Sequence, residues 1–186
     1  MKRLSIGSAL FLLLLVGVSI VVYAFWQIHH YLTPKPASYS AQQLGTQGKA
    51  QLSAGNYATA ENYLQQALQK EDDHTYRSDL AVVEYRLKKY PEAIVQYQAL
   101  ITKKQDVAFA QNGIGNANRD WGTQHYPEAE AAYSASIDAD KGYVAAYSNQ
   151  ALLLVGENRR AEALTTLDKG IIATHDQNLI TLKNRL

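Results

Sequence analysis

Cysteine is absent from the 186 residues of this chain. Its absence excludes disulfides, thiol nucleophiles, iron–sulfur clusters and cysteine-ligated zinc. It also excludes a lipid-modified cysteine as a membrane tether. The absence of cysteine does not indicate a redox compartment, because a cysteine-free chain suits either side of a membrane.

The chain also lacks an excess of charge of either sign. Eighteen Lys and Arg residues stand against seventeen Asp and Glu, and from residue 37 onward the counts are 15 and 17. Proteins that bind nucleic acids usually carry a strongly basic face, because neutralising phosphates supplies much of their affinity. We therefore expect no nucleic-acid partner.

Catalytic and cofactor motifs are missing as well. The sequence has no phosphate-binding loop and no His-Glu-x-x-His, and the Gly-Ile-Gly of 113–115 follows no predicted strand. The acidic cluster at 71–74 has the chemistry of a weak cation site, but a solvated turn is the preferred interpretation. His29 and His30 are interpreted as neutral interfacial side chains rather than metal ligands. We predict a non-enzyme with no cofactor, no metal site and no small-molecule substrate.

A long uncharged and apolar stretch runs over residues 4–26. As a helix rising about 1.5 Å per residue it would measure roughly 34 Å, enough to cross a hydrocarbon core of about 30 Å. Aromatic residues at its far end match an interfacial belt: Tyr23, Phe25, Trp26 and Tyr31. We predict a transmembrane helix over residues 1–28, which acts as a signal anchor, and a proline-containing linker over 29–40.

The charges that flank this stretch predict its orientation. Lys2 and Arg3 precede it, and the first charge after it is Lys35. The positive-inside rule then predicts a single-pass protein of the cell membrane, with a cytoplasmic N-terminus and the remaining chain on the periplasmic or extracellular side. The alternative is a signal peptide cleaved after residue 24, which would give a secreted protein. The run exceeds the usual signal core of ~7–15 residues, which favours the anchor.

The rest of the sequence repeats with a long period. Residues 90–101 and 126–137 are identical at seven of twelve positions. Two series of small residues recur with the same period, which argues against chance. The first series, at intervals of 33, 34 and 36, is Gly48, Ala81, Gly115 and Ala151. The second, at intervals of 33, 36 and 34, is Ala60, Ala93, Ala129 and Ala163.

These paired small residues predict helical hairpins. Two antiparallel helices pack closely only where the side chains at their crossing are small. Larger apolar residues, including Tyr97 and Tyr133, then fill the space around each crossing. Pro91 and Pro127, each followed by a glutamate, suit the first turn of a helix. The predicted fold class is all-α, with about four hairpin repeats over residues 41–175.

The period, the paired small residues and the turn-to-helix junctions at 55–57 and 88–93 resemble the tetratricopeptide repeat. The resemblance implies a right-handed superhelix of antiparallel helical hairpins. The sequence departs from the family pattern at several positions. The aromatic residue early in the first helix is weakly represented, no proline ends a repeat, and Gly170 occupies a small-to-apolar position of the fourth repeat. The third repeat also carries extra residues, interpreted as a longer inter-helix turn over 119–125. Trp121 caps that turn or, as the alternative, anchors a partner.

The C-terminal segment, residues 176–186, has apolar residues in a helical pattern. A stack of hairpins exposes an apolar end, and a final amphipathic helix covers it. We predict a capping helix, with a dimerisation helix as the alternative.

The resemblance also implies a binding face, because the first helix of each pair lines a concave surface that holds an extended peptide or a partner's helix. Asn112 and Asn116 share one helical face, and an asparagine amide both donates to and accepts from a peptide backbone. Arg119 continues that face and suits a carboxylate. The alternative is that these are ordinary solvated side chains. The predicted groove residues are Gln42, Lys49, Ser78, Phe109, Asn112, Asn116, Arg119 and Asn149.

Two function classes follow. The first is a membrane-anchored interaction module that binds a protein or peptide partner on its concave face. The second is a scaffold or assembly subunit of a bacterial-type envelope complex, which engages partners through the membrane helix, the convex face or the C-terminal helix. The sequence leaves the partner, the biological process and the oligomeric state open.

Overall fold

A computed structural model describes Tyr23 and residues 39–186. Within 39–186 the chain forms α-helices, one short 3₁₀ helix and no strand. The predicted all-α class is therefore confirmed for the repeats. The helices are α1 (Ala41–Ser53), α2 (Tyr57–Lys70), α3 (His74–Arg86), α4 (Tyr90–Thr102), α5 (Val107–Trp121), α6 (Tyr126–Ala139), α7 (Val144–Gly156), α8 (Arg160–Thr174) and α9 (Gln177–Arg185), with the 3₁₀ helix at Thr123–His125 between α5 and α6.

The predicted transmembrane segment and linker lie outside the described residues, apart from Tyr23 and residues 39–40. Among the residues that the structure describes, none of the helices combines the length and the apolar character needed to cross a membrane.

Several helices begin at side chains that satisfy free backbone N–H groups. Ser40 forms a capping box with Gln43: the Gln43 backbone N–H donates to the Ser40 hydroxyl over 3.1 Å, and the Ser40 N–H donates to the Gln43 amide over 2.9 Å. Asp73 accepts the Thr75 N–H at the start of α3 over 2.7 Å. Pro91 and Pro127 lie in the first turns of α4 and α6, as the sequence predicts.

Each first helix packs against its second helix at the small residues that define the repeat. Ala60, Ala93, Ala129 and Ala163 are fully buried. A Cβ added to Gly48 would lie 2.6 Å from Leu64 Cγ, and one added to Gly115 would overlap the Tyr133 ring. Since atoms at such distances collide, these glycines permit the tight crossings of α1 with α2 and of α5 with α6.

Two further glycines pack between repeats, a role that the sequence did not predict. A Cβ on Gly45 would lie 2.6 Å from Cδ1 of Tyr76 in α3, and a Cβ on Gly113 would lie 2.6 Å from Cε1 of Tyr97 in α4. The Gly-Ile-Gly of 113–115 thus serves packing on both sides of α5: Gly113 faces the preceding repeat, and Gly115 faces the second helix of its own repeat.

The contacts between helices define an inner and an outer layer. α1 lies against α3, α3 against α5, and α5 against α7. Within the described repeats no close backbone contact joins α2 to α4, α4 to α6 or α6 to α8. A stack whose first helices touch and whose second helices are spread apart must curve, with α1, α3, α5 and α7 on the concave side.

The last helix covers the end of the stack. Leu179 of α9 is fully buried with Tyr147 and Leu167, and Leu182 and Leu186 pack against the same cluster. Gly170 makes room for it, because a Cβ there would lie 2.8 Å from Leu179 Cδ1. The apolar side of α9 is therefore occupied by its own chain.

The turn predicted over residues 119–125 differs from the one observed. α5 continues through Arg119 and Asp120 to Trp121, so these residues belong to its last turn. The helix ends at Gly122, whose φ of 146° favours glycine, and the extra residues then form the 3₁₀ helix. The added length is a helix extension plus a structured turn, rather than a long loop.

Candidate functional site

The concave face is the surface of α1, α3, α5 and α7 that faces away from the second helices. All eight predicted groove residues lie on these four helices. Gln42 and Lys49 are exposed on α1, whereas Ser78, Phe109, Asn116, Arg119 and Asn149 are partly buried and Asn112 is buried. The structure therefore brings the predicted residues to one layer but gives several of them internal partners.

Asn112 joins two first helices. It is 7% exposed, and its amide oxygen accepts a 2.9 Å hydrogen bond from Nδ2 of Asn149 in α7. The interpretation of Asn112 as a solvated side chain is therefore wrong. The bond satisfies the Asn112 oxygen internally and sets the spacing of α5 and α7, so Asn112 supports the concave face rather than presenting its oxygen to a ligand.

Asn116 is also held by a hydrogen bond, in this case from the second helix of its own repeat. Its amide oxygen accepts a 2.9 Å hydrogen bond from the Tyr133 hydroxyl of α6. Burial raises the pKa of Tyr133, so this hydroxyl keeps its proton and remains a donor. The bond fixes the amide orientation, so the Nδ2 group remains a donor for a ligand.

A polar cluster that the sequence analysis missed lies one turn further along α5. The Tyr85 hydroxyl of α3 donates to Asp120 Oδ2 over 2.5 Å, and Arg119 Nε donates to Asp120 Oδ1 over 2.8 Å. Burial opposes ionisation of Asp120, but these two donors lower its pKa. Burial, together with the Asp120 acceptor, raises the pKa of Tyr85 to about 12. The Tyr85–Asp120 hydrogen bond links the second and third repeats, and the Arg119–Asp120 ion pair within α5 holds the carboxylate in place.

A signal for this cluster was present in the sequence. Tyr85 and Asp120 are 35 residues apart, one more than the spacing of Ala81 and Gly115. Residues at nearly equivalent positions of successive repeats lie side by side in a stack. Comparing polar residues at that spacing would have paired them.

Phe109 and Ser78 are less available than predicted. The Phe109 ring packs edge-on against Tyr97, with centroids 5.7 Å apart, and so extends the core. The Ser78 hydroxyl is buried and has no hydrogen-bond partner within the described residues. Neither side chain offers a large free surface to a ligand.

The groups left free on the concave side include cations and an exposed apolar side chain. Lys49 and Arg86 are exposed and form no ion pair with any described residue. Leu152 of α7 is 47% exposed on the face that Asn149 shares. A ligand would meet charge toward the first repeats and an apolar contact toward the last.

The convex side carries two clefts between second helices. One, of about 810 Å³, lies between α4 and α6 over α5 and is lined by Ile94, Ile101 and Ile114 together with alanines of α6. The other, of about 410 Å³, lies between α6 and α8 and is lined mainly by polar groups such as Glu130 and Lys169. Within the described chain, no group of three or more metal-ligating side chains is positioned to hold a metal ion.

Comparison with known proteins identifies the repeat. The model of the Tetratricopeptide repeat family matches residues 46–108 and 114–177, more than half of the chain. Superkiller complex protein 3 of Mus musculus is 38% identical over 72 residues, and that of Homo sapiens is 36% identical over 72 residues. The match covers 38% of this chain and only 5% of either relative.

Solved structures share the fold. A crystal structure of MamA matches with a TM-score of 0.64 at 18% identity, covering 92% of this chain and 96% of that one. YrrB, described as a TPR protein with an unusual peptide-binding site, matches with a TM-score of 0.63 at 22% identity, covering 93% and 88%. A thermophilic TPR protein of Thermus thermophilus matches with a TM-score of 0.62 at 15% identity, covering 75% and 77%. At these identities the likeness shows the fold alone.

Proposed function

Because the chain belongs to the tetratricopeptide-repeat family of protein–protein interaction modules, we propose that it binds an extended peptide segment of a partner protein on its concave face. The observation that carries the proposal is the internal bonding of that face. Three hydrogen bonds hold the polar side chains of this face in place: Asn112 with Asn149, Asn116 with Tyr133, and Tyr85 with Asp120.

Fixed side chains favour binding because they lose little conformational freedom when a ligand arrives. The Asn116 amide nitrogen would donate to a peptide carbonyl, which requires no particular ligand sequence. Lys49 and Arg86 would attract carboxylates, and Leu152 would receive an apolar side chain.

Site-specific photo-crosslinking tests the proposal with matched positions. A photoreactive residue replaces Leu152 on the concave side or, as controls, Val95 or Ile172, which are likewise apolar and exposed but lie on second helices. We expect a crosslinked partner from position 152 and from Gln42, and none from the two control positions. Crosslinks from positions 95 and 172 alone would contradict the concave site.

That opposite result would support a second candidate function, an assembly subunit that engages its partners on the convex face. The observation in its favour is the cleft between α4 and α6, whose isoleucines and alanines leave an apolar floor open to solvent. The same crosslinking experiment therefore separates the two candidates.

We also propose that residues 1–28 anchor the chain in the cell membrane as a single pass, with the repeats on the outer side. The uncharged run over 4–26 and the positive charges before it support this arrangement. Protease added to spheroplasts should digest the repeats while a cytoplasmic marker stays intact. Repeats that remain protected would reverse the orientation, and a chain shortened by the signal segment would indicate a secreted protein.

A further inference from the structure

Neighbouring second helices of the described repeats face each other at three junctions: α2 with α4, α4 with α6 and α6 with α8. The repeat period places Glu61, Ile94 and Glu130 at equivalent positions, each directly after the buried alanine that marks its helix. A second set of equivalent positions begins the second helix on the far side of each junction: Lys89, His125 and Arg159. The three junctions can therefore be compared position by position.

Ion pairs bridge the first and the third of these junctions. Lys89 bonds to Glu61 over 2.7 Å across the first. Across the third, Arg159 Nη1 bonds to Glu130 over 2.7 Å, and Arg159 Nη2 bonds to Glu162 of α8 over 2.7 Å. Both glutamates line the cleft between α6 and α8. A guanidinium therefore lies between two carboxylates of that cleft.

The middle junction, between α4 and α6, lacks this ion pair. Ile94 has no charge to pair, and the His125 ring stacks on Trp121 instead, with centroids 4.1 Å apart. Glu128, the equivalent of Glu162, lines the middle cleft, is exposed, and forms no ion pair with any described residue. The middle cleft measures about 810 Å³, against about 410 Å³ for the cleft between α6 and α8.

The walls of the middle cleft are also more apolar than those of its neighbour. Thr165 and Lys169 of α8 line the cleft between α6 and α8. The equivalent residues of α6 in the middle cleft are Ala131 and Ala135. The middle cleft thus has an apolar surface where the next cleft has hydroxyl and ammonium groups, which favours an aliphatic occupant.

Asn118 of α5 is a polar group without a partner on the floor of the middle cleft. It is 6% exposed, lines the cleft, and its side chain forms no hydrogen bond with any described residue. A buried amide without a partner is unfavourable, and such groups are rare in folded proteins. A peptide group would satisfy this amide, because it offers both a donor and an acceptor.

We propose that the middle cleft binds a peptide segment of a partner protein in which an aliphatic side chain stands next to an arginine or a lysine. The aliphatic side chain packs against Ile94 and the alanines of α6, and a peptide group of the segment bonds to Asn118. The basic side chain reaches Glu128, as the guanidinium of Arg159 reaches Glu162 in the next cleft.

The proposal specifies the occupant of the cleft on which the second candidate function rests, and it rests on that candidate. It does not depend on the concave site. Asn116 and Asn118 lie on opposite sides of α5, because two residues span about 200° of a helix with 3.6 residues per turn. A ligand can therefore occupy one side of α5 without touching the other.

Fluorescence anisotropy of a labelled peptide tests the proposal on the full chain held in nanodiscs of neutral lipid. The probe is a hexapeptide that alternates leucine and arginine and measures roughly 20 Å when extended. One control peptide alternates leucine and glutamate, and the other alternates serine and arginine. We expect the probe to bind about tenfold or more tightly than either control and to show no binding to empty nanodiscs.

Variants assign the binding to the middle cleft. Ile94→Glu combined with His125→Arg introduces the ion pair of the other junctions and should weaken binding about tenfold or more. Glu128→Gln removes the carboxylate at an exposed position and should weaken binding about two- to fivefold. Glu92→Gln, at the equivalent exposed position of α4, is the matched control and should change nothing. Leu152→Ser on the concave side should also change nothing.

Three results would overturn the proposal. The first is probe binding no tighter than about 1 mM. If convex crosslinks persist in that case, the second candidate function stands without this occupant. The second is equal binding of a control peptide, or undiminished binding by Glu128→Gln or by the double variant once circular dichroism shows that it folds. The third is a photoreactive residue in place of Ala131 that crosslinks, without peptide, to its own chain or to a second copy.

Discussion

Glu84 is an acidic residue buried in a core that is otherwise mostly apolar. It lies in α3, is 3% exposed, and one of its carboxylate oxygens has no hydrogen-bond partner within the described residues. Burial raises its pKa to about 7, and the nearby carboxylates of Glu61 and Glu92 add to the rise. The core between the first two repeats thus contains an acid that titrates near neutrality.

Stability should therefore fall as the pH rises from about 4.5 to about 7. Between the pKa of Glu84 in the unfolded chain and its pKa in the folded protein, only the native state keeps this carboxyl protonated. The stabilisation from this proton is complete below the unfolded-state pKa and is lost as the pH rises through the folded-state pKa. The loss is on the order of 2–3 kcal/mol. Urea denaturation at about pH 5 and about pH 8 measures it.

The substitution Glu84→Gln keeps the shape of the side chain and removes its ionisable carboxyl group. We expect this variant to be more stable than the natural chain at about pH 8 and to lose the pH dependence in this window. Parallel pH curves for the two proteins would show that Glu84 does not set the dependence.

Two helical glycines provide a matched test of close packing. Gly113→Ala places a Cβ against the Tyr97 ring, whereas the structure shows nothing within 4 Å of a Cβ at Gly156. We expect the first change to lower the free energy of unfolding by about 1–3 kcal/mol. The second should be neutral or stabilising, because alanine favours a helix over glycine. Thermal unfolding of both variants measures this, and equal effects would contradict the packing role.

At the scale of helices, side-chain hydrogen bonds join helices both within one repeat and between successive repeats. Ser136 of α6 is fully buried and donates to the carbonyl of Ala108 in α5 over 2.7 Å. Asn149 of α7 donates to Asn112 of α5 over 2.9 Å. Buried bonds of this kind fix the relative position of helices more narrowly than apolar contact does.

A double-mutant cycle measures the link between α5 and α7. Asn112→Ala leaves the Asn149 amide without its acceptor and should cost about 1–3 kcal/mol. Asn149→Ala removes the donor. The double variant should be less destabilised than the sum of the single ones, with a coupling of about 1 kcal/mol. Strict additivity in urea unfolding would show that the bond contributes nothing.

At the scale of the whole molecule, the stability of the helical stack depends on α9, the helix that covers its last hairpin. In a repeat array each unit contacts only its neighbours, so a defect at one end weakens the nearest units first. Leu179 is fully buried between α9 and the fourth hairpin.

Leu179→Ala should cost about 2–5 kcal/mol. Hydrogen exchange should show lost protection in α7 and α8, while α1 to α4 keep theirs. Asn184→Ala, on the exposed side of α9, is the control. A uniform loss of protection would mean that the whole array unfolds as one unit.

The sequence predicted the repeats well because period is a property of the chain itself. Small residues at the crossings and Tyr97 and Tyr133 between them recur at fixed spacing, and the structure buries all of them. Pairing between polar groups leaves a weaker trace, because the repeat spacing relates residues such as Tyr85 and Asp120 but does not show which polar groups form bonds. Asn112 has the same sequence signature whether it faces solvent or Asn149, so its burial could not be predicted.

The end of α5 shows the same limit at a turn. The extra residues of the third repeat were visible in the sequence, but the extension of the helix to Trp121 depends on a backbone conformation at Gly122 that only the folded chain displays. The stacking of Trp121 on His125 could therefore be found only from the structure.

The unequal spacing of the two layers also determines how the stack deforms. The first helices touch, so the concave side resists both stretching and compression. The second helices stand apart and are bridged at their edges by ion pairs such as Lys89 with Glu61 and Arg159 with Glu130. Bending therefore opens the convex clefts first, and the elastic stiffness of the repeats should decrease as salt screens those bridges.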